Sequence, residues 1–329
     1  MKIEEVWDYY KNDLYLAEEK IKENLHTVAP AISAVGQHLL SSGGKRIRPV
    51  LVILCSRICG YRGEKASILA CGAESIHTAS LLHDDIVDGA DMRRGKPAAH
   101  SLWGPQIVVL VGDYLYANAL RLINSLESQK IMNAFTSATA RMSEGELLQL
   151  SKKEQAAKGD FYFSEEDYMK IITGKTAILM SASCKGGAVI GNATQEQEDA
   201  LSAFGLNFGM AFQMIDDILD YMAEEDVIGK TLGKDFKEGK ITLPLIYLMN
   251  DAPGGEVEKI KTIIKKKEFS EADLGSVMEL LEKYGSIKKS YAKARTLIEA
   301  AKSGLGIFED SMEKTALLTV SEYVLTRGK

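Results

Sequence analysis

Two long apolar stretches of this chain run into the same acidic cluster, and that repetition constrains it most. The first, Ile68 to Leu82, leads directly into His83-Asp84-Asp85-Ile86-Val87-Asp88; the second, Phe204 to Ile215, leads into Asp216-Asp217-Ile218-Leu219-Asp220. Neither alternates polar and apolar residues as a half-buried strand does, and both are long enough to be helices buried on most sides. At 100° per residue, the first and last aspartates of each cluster stand about 40° apart on one helical face, with the middle one beside them. A solvated acidic face accounts for one such cluster. Two of them, each closing an apolar helix and each followed by cations, point to a bound hard cation.

The rest of the chain is read as helical too. Ile3, Val6, Tyr10, Leu14, Ala17, Ile21 and Leu25 recur at spacings of three and four, which predicts an amphipathic helix over 3–27. Further helices are expected over 35–40, from Ile47, over 64–91, 107–124, 129–150 and 195–221, and from Pro244. Residues 151–160 read as a polar loop, and Ser164 as an N-cap before acidic 165–167. The helix from Tyr168 to Ile190 is interrupted at Thr173-Gly174-Lys175-Thr176. No β-alternation stands out and no composition shift marks a domain boundary. The expectation is an all-α fold, a single-domain antiparallel helix bundle over 1–329 around a central apolar cavity.

Composition removes several classes of function. A net charge of −6 lacks the basic excess of a general nucleic-acid binder, so no nucleic-acid partner is expected. Cys55, Cys59, Cys71 and Cys184 lie in apolar or small-residue runs with no metal-ligand spacing, and read as buried reduced thiols of a cytoplasmic protein. The start Met1-Lys2-Ile3-Glu4-Glu5 has no signal-type apolar core, and no uninterrupted apolar run approaches the ~20 residues of a membrane span. Gly174-Lys175-Thr176 resembles the end of a phosphate-binding loop, but the upstream glycine and the preceding strand are missing, so nucleotide binding is rejected.

What remains is oxygen donors beside cations. Asp84, Asp85 and Asp88 precede Arg93 and Arg94, whose forks match phosphate geometry, which suggests Mg²⁺ bridging to a diphosphate. Gly43-Gly44-Lys45-Arg46-Ile47-Arg48-Pro49 brings three cations to a helix start and reads equally as an anion site or a solvated basic loop. His77 lies two turns before Asp84 on roughly the same face. About three dications would offset a diphosphate's charge and turn it into a leaving group, so an allylic carbon–oxygen bond breaks and the cation forms in a dry cavity.

At these residues the sequence resembles the trans-type polyprenyl diphosphate synthase family. The resemblance runs from Gly43 to Pro244: the Gly43 to Pro49 segment, Leu81 to Asp88 with Met92-Arg93-Arg94-Gly95, Gly174-Lys175-Thr176, Gln213 to Asp220, Gly229-Lys230, and Gly239 to Pro244. It implies that Asp84, Asp85, Asp88, Asp216, Asp217 and Asp220 ligate Mg²⁺, and that Arg93, Lys175, Thr176, Gln213, Lys230 and Lys240 hold the allylic diphosphate. Lys45, Arg48, His77 and Arg94 would hold isopentenyl diphosphate. The aspartates with Lys175 and Lys230 would be the catalytic set, and the proton lost after condensation would go to the released diphosphate. A homodimer is implied, with only transient membrane contact for product release.

The same resemblance frames product length. Ser80 and Ala79 lie ~6 and ~7.5 Å before Asp84 along the helix, where bulky residues in the family stop the growing tail. Both are small here, so the expectation is a long-chain synthase, about octaprenyl, with Phe135 as a deeper floor. The alternatives are a shorter-chain farnesyl or geranylgeranyl synthase, a terpene cyclase or a non-catalytic synthase subunit. The complete second aspartate cluster and the Lys45/Arg48 segment weigh against the last two.

Overall fold

The computed structural model describes residues 1–41, 43–222, 233–266 and 270–327. Helices dominate it: α1 (Ile3–Tyr9), α2 (Lys11–Asn24), α3 (Pro30–Ser41), α4 (Ile47–Ile58), α5 (Lys65–Val87), α6 (Ala99–Trp103), α7 (Pro105–Asn124), α8 (Gln129–Ala157) and α9 (Glu165–Ile172). A π-helical turn, Thr173–Ala177, leads into α10 (Ile178–Ile190), followed by α11 (Gln195–Asp220), α12 (Lys234–Lys237), α13 (Leu243–Asp251), α14 (Gly254–Ile264), α15 (Glu271–Lys283), α16 (Ser286–Gly304) and α17 (Met312–Thr326). The fold is all-α. Among the described residues the one sheet is a two-residue antiparallel pair, β1 (Met92–Arg93) with β2 (Lys96–Pro97), turned through Arg94 and Gly95 at φ 51° and 75°.

The chain divides into two compact units. One comprises Met1–Thr139, Leu179–Gly205 and Gly304–Val320; the other comprises Ala140–Ile178, Leu206–Ser303 and Ser321–Lys329.

In the first unit α5 is the central element and packs against α2, α4 and α7. Its small residues let neighbours approach closely: a Cβ on Gly72 would stand 2.7 Å from Ile123 Cγ1 of α7. Elsewhere in the unit α10 meets α4 backbone to backbone, with a Cβ on Gly187 only 2.6 Å from the Val52 carbonyl oxygen. Ala79 and Leu82 of α5 join Leu25, Ile32, Val35, Val108, Val111 and Leu115 in one dry cluster. Each fully buried large aliphatic side chain there contributes about 1.5–3 kcal/mol. Helix α7 is long and apolar enough to cross a membrane by length and composition, yet it buries the Val108, Val111 and Leu115 face in this cluster.

In the second unit the polar segment expected to be a loop from 151 stays helical to Ala157. Ala156 is buried, Lys152 pairs with Asp167 at 2.9 Å, and Lys158 pairs with Glu154 at 2.6 Å, so the helix gains contacts that composition hides. Ser164 caps α9 as expected: its Oγ accepts from the Asp167 N–H at 3.1 Å, and the Asp167 carboxylate accepts from the Ser164 N–H at 3.2 Å. The expected interruption at 173–176 is not a break. The chain continues through one π turn, which carries an extra residue without losing the helical direction. Similarly, the single helix expected over 3–27 is split at Tyr10 into α1 and α2.

Candidate active site

The first aspartate cluster ends α5, with Asp88 as its C-cap and the Asp88 N–H bonded to the Asp84 carbonyl at 2.8 Å. Carboxylates here oppose the negative end of the helix dipole, each costing about 0.3–1 kcal/mol unless a cation offsets them. Asp85 is buried and already has one. The β1–β2 turn folds Arg93 back so that its Nε lies 2.6 and 2.7 Å from the two Asp85 oxygens and its Nη2 2.6 Å from Oδ1. Asp84 and Asp88 are only partly buried.

Arg93 and Arg94 also line a pocket with Arg46, Glu74 and His77. Arg94 donates to the Gly43 carbonyl, and a Cβ on Gly44 would stand 2.8 Å from Arg94 Nη1, so the glycine pair is what admits this guanidinium. Arg46 takes a left-handed conformation (φ 49°) and bridges Glu18 at 3.0 Å and Glu74 at 3.1 Å. His77 has its pKa held well below the usual imidazole range, first by burial and then by the fields of Arg48, Arg94, Arg93 and Arg46. A neutral imidazole ringed by arginines is a ready recess for a polyanion. Of the four residues expected for isopentenyl diphosphate, His77 and Arg94 line the pocket, Arg48 acts on His77 from the start of α4, and Lys45 lies on the adjoining loop. Arg46, one of the three cations of the Gly43–Pro49 segment, joins them, and so does Glu74, to which no ligand role was assigned from sequence.

The second cluster closes α11, again at a dipole's negative end, and belongs to the second unit. Asp217 is buried. It accepts from Tyr168 Oη at 2.6 Å and from Gln213 Nε2 at 2.8 Å, while Gln213 Oε1 accepts from Thr176 Oγ1 at 2.8 Å. Burial, and then neighbouring Asp235, push the Asp217 pKa up to about 8 despite those two donors. Asp216 pairs with Arg327 Nη2 at 2.8 Å, and the same guanidinium lies 3.7 Å over the Phe212 ring. Asp220 accepts from the Asp235 N–H at 2.9 Å.

Lys175 issues from the π turn and meets Glu146 of α8 at 2.6 Å. The backbones beneath them touch: a Cβ on Gly145 would lie 2.7 Å from Lys175 N, and one on Gly174 2.8 Å from the Arg141 carbonyl oxygen. Lys240 pairs with Glu238 at 2.7 Å and lines a cleft with Lys175, Gln213 and Asp217. The structure therefore groups Lys175, Thr176, Gln213, Asp217 and Lys240 within one unit; Arg93 belongs to the other, and Lys230 lies outside the described residues. Glu146, Tyr168 and Arg327 were not found from sequence. Each carries no motif, and its partner is remote in the chain.

The chain-length candidates lie in the first unit. Ser80 is half-buried and its Oγ donates to the His77 carbonyl at 2.9 Å. Ala79 is sealed in the α5–α7 cluster. Phe135 is fully buried, its ring edge beside Gly186, where a Cβ would stand 3.2 Å from Cε2.

A family model described as polyprenyl synthetase matches residues 29–281. The chain belongs to the polyprenyl synthetase family. Among the relatives of this synthetase, octaprenyl diphosphate synthase of Escherichia coli (strain K12) is 35% identical over 329 residues, covering 100% of both chains. Among solved structures, a decaprenyl diphosphate synthase from Rhodobacter capsulatus superposes with a TM-score of 0.93 at 35% identity, covering 99% of each chain. A polyprenyl synthase from Caulobacter crescentus CB15, described as complexed with calcium and isoprenyl diphosphate, gives 0.92 at 34% identity, covering 99% of this chain and 98% of that one. The chain is accordingly a prenyltransferase of isoprenoid biosynthesis.

Proposed function

We propose that the protein is a long-chain trans-polyprenyl diphosphate synthase. It adds isopentenyl diphosphate head to tail onto an allylic diphosphate and stops at about the octaprenyl length. One observation carries this reading: the chain builds two different anion recesses, each beside an aspartate cluster. The recess around His77 holds arginines and a neutral imidazole, which suit a diphosphate that is kept. The cleft around Lys175 adds Thr176, Gln213 and Lys240, which suit one that leaves. A cyclase needs only one.

The donor set fits Mg²⁺, a hard ion served by carboxylate oxygens. Among the described residues no three His, Cys, Asp or Glu groups stand together as a metal site. Asp84, Asp88, Asp216 and Asp220 would be the principal ligands, with Asp85 and Asp217, engaged by Arg93 and by Tyr168 and Gln213, holding the helix ends in place or reaching the ion through water. Bound Mg²⁺, about three ions, would supply Lewis-acid charge to the departing diphosphate. Arg93, Lys175, Thr176, Gln213, Lys230 and Lys240 would hold that diphosphate, while Lys45, Arg48, His77 and Arg94 would hold isopentenyl diphosphate. The new carbon–carbon bond forms as the allylic carbon–oxygen bond breaks, and the proton lost from the condensed unit passes to the released diphosphate.

Small, half-buried Ser80 leaves the tail room to grow, Ala79 beside it is small but sealed in the α5–α7 cluster and would act on the tail only through that packing, and Phe135 is the proposed floor. The family match draws on segments of both units, which supports one catalytic domain over 1–329. Ile107, Val109 and Leu110 expose an apolar stripe on α7, which supports a homodimer. The protein is placed in the cytoplasm, touching membrane only as product leaves.

The test is incubation of purified protein with Mg²⁺, farnesyl diphosphate and labelled isopentenyl diphosphate, followed by product chromatography. Products near eight isoprene units are expected. Absence of elongation overturns the synthase reading, and a stop at three or four units overturns the long-chain half.

A further inference from the structure

The cleft around Lys175 has a second wall that none of the motifs marks. Glu146, Gln149 and Lys153 follow one another on α8 at spacings of three and four, so they share a face. Glu146 turns to Lys175. Gln149 and Lys153 line the cleft together with Lys175, Gln213, Asp217 and Lys240.

Charge bookkeeping separates Lys153 from the other lysines of that cleft. Lys175 is matched by Glu146 at 2.6 Å, Lys240 by Glu238 at 2.7 Å, and Lys152 by Asp167 at 2.9 Å. Lys153 makes no ion pair among the described residues; its stem runs along Gly239, where an added Cβ would stand 3.8 Å from Cγ and 3.9 Å from Cε. Gln149 adds an unused donor: Nε2 is buried and has no hydrogen-bond partner among the described residues. A buried amide left so carries an unrecovered desolvation cost, which a ligand oxygen would remove.

We propose that Gln149 and Lys153 are further ligands of the allylic diphosphate, gripping it from the α8 side while Lys175 and Lys240 grip it from the other elements of the cleft. The Lys153 ammonium donates to a phosphate oxygen, and Gln149 Nε2 donates to a second. The same pair holds the inorganic pyrophosphate left after ionisation. The assignment rests on the polyprenyl synthase reading for the identity of the anion.

The test uses the full chain and the variants Lys153→Met, Lys153→Arg and Gln149→Leu, with Lys158→Met, in the exposed turn just after α8, as a charge-matched control. Steady-state kinetics give KM for farnesyl diphosphate and for isopentenyl diphosphate separately, and calorimetry gives the affinity for inorganic pyrophosphate with Mg²⁺. Lys153→Met and Gln149→Leu are expected to raise the allylic KM and weaken pyrophosphate about tenfold while moving the isopentenyl KM less than twofold. Lys153→Arg retains most of the affinity, and Lys158→Met retains all of it. Wild-type protein that fails to elongate overturns the functional reading alone. Wild-type protein that elongates, with Lys153→Met and Gln149→Leu within twofold of it in both allylic KM and pyrophosphate affinity, overturns this assignment.

Discussion

Replacing Gly174 with alanine tests how Lys175 and Thr176 are held. The added Cβ would stand 2.8 Å from the Arg141 carbonyl oxygen and 3.1 Å from the Gly145 Cα. Both neighbours are backbone, so no flexible tip can yield, and reaching ordinary contact at 3.4 Å requires the π turn and α8 to part by roughly half an ångström. Overpacking of this kind costs about 1–3 kcal/mol. Because Lys175 and Thr176 follow directly, the same shift moves the ammonium and hydroxyl that we propose meet the diphosphate. Misplacement by about 1 Å can cost 10²-fold in rate, so a tenfold loss in turnover is the expected scale. Gly187→Ala is the control: its Cβ would meet the Val52 carbonyl oxygen at 2.6 Å, an equal backbone clash without a substrate-facing neighbour. Denaturant unfolding should show both variants destabilised, and turnover with farnesyl and isopentenyl diphosphates should fall only in Gly174→Ala. Equal turnover in the two variants would refute the link between that glycine contact and Lys175.

Three more outcomes follow from the geometry. Because His77 is held neutral in the fold, the unfolded chain binds the extra proton below its ordinary pKa of about 6.5; that stability is present above this pH and falls as pH drops, a slope that His77→Gln should flatten in denaturant titrations from pH 7.5 to 5. A bulky residue at Ser80, one turn or ~6 Å from Asp84, should shorten the product with little loss of stability, since the serine is half-buried and bonds only its own helix. Ala79→Tyr should shorten it too, but the ring must displace its neighbours in the sealed α5–α7 cluster and should cost about 1–3 kcal/mol; unchanged chromatograms for both variants would remove Ala79 and Ser80 from the control of product length. Arg327→Gln removes the cation beside Asp216 and should lower the melting temperature of chelator-treated protein by an amount equivalent to about 1 kcal/mol, modest because Asp216 is 39% exposed. Added Mg²⁺ should then stabilise the variant more than the wild type; equal shifts would mean that Arg327 and the ion do not share that carboxylate.

The helices were legible because burial imposes a period on the sequence, and α5 shows it best, being enclosed by α2, α4 and α7. The polar run from 151 was misread because its helical state depends on partners such as Asp167, fifteen residues away, which local composition does not register. The interruption at Thr173 was seen at the right place but in the wrong form: Gly and Thr lower helix propensity, yet only the contact with Gly145 shows that the chain continues as a π turn. In the site, the aspartates were visible because they repeat. Tyr168 was not, since a tyrosine 49 residues from Asp217 looks like any amphipathic helix residue until the hydrogen bond is drawn. Arg327 was hidden more completely, its partner Asp216 lying on a helix far back in the chain.

The π turn at Thr173–Ala177 has a further consequence when regarded as a single inserted residue. Deleting one residue there would heal the backbone into an ordinary α-helix, with better hydrogen-bond geometry and no local penalty. The extra residue is taken up by the wide turn itself, so the helices on either side would keep their phase and only the residues of the turn would be re-aimed. Lys175 and Thr176 are the ones displaced, and with them the contacts to Glu146 at 2.6 Å and Gln213 at 2.8 Å. A shorter, locally more regular version of this chain would keep its packing and lose the placement of two polar side chains, so the irregularity persists as the device that aims them.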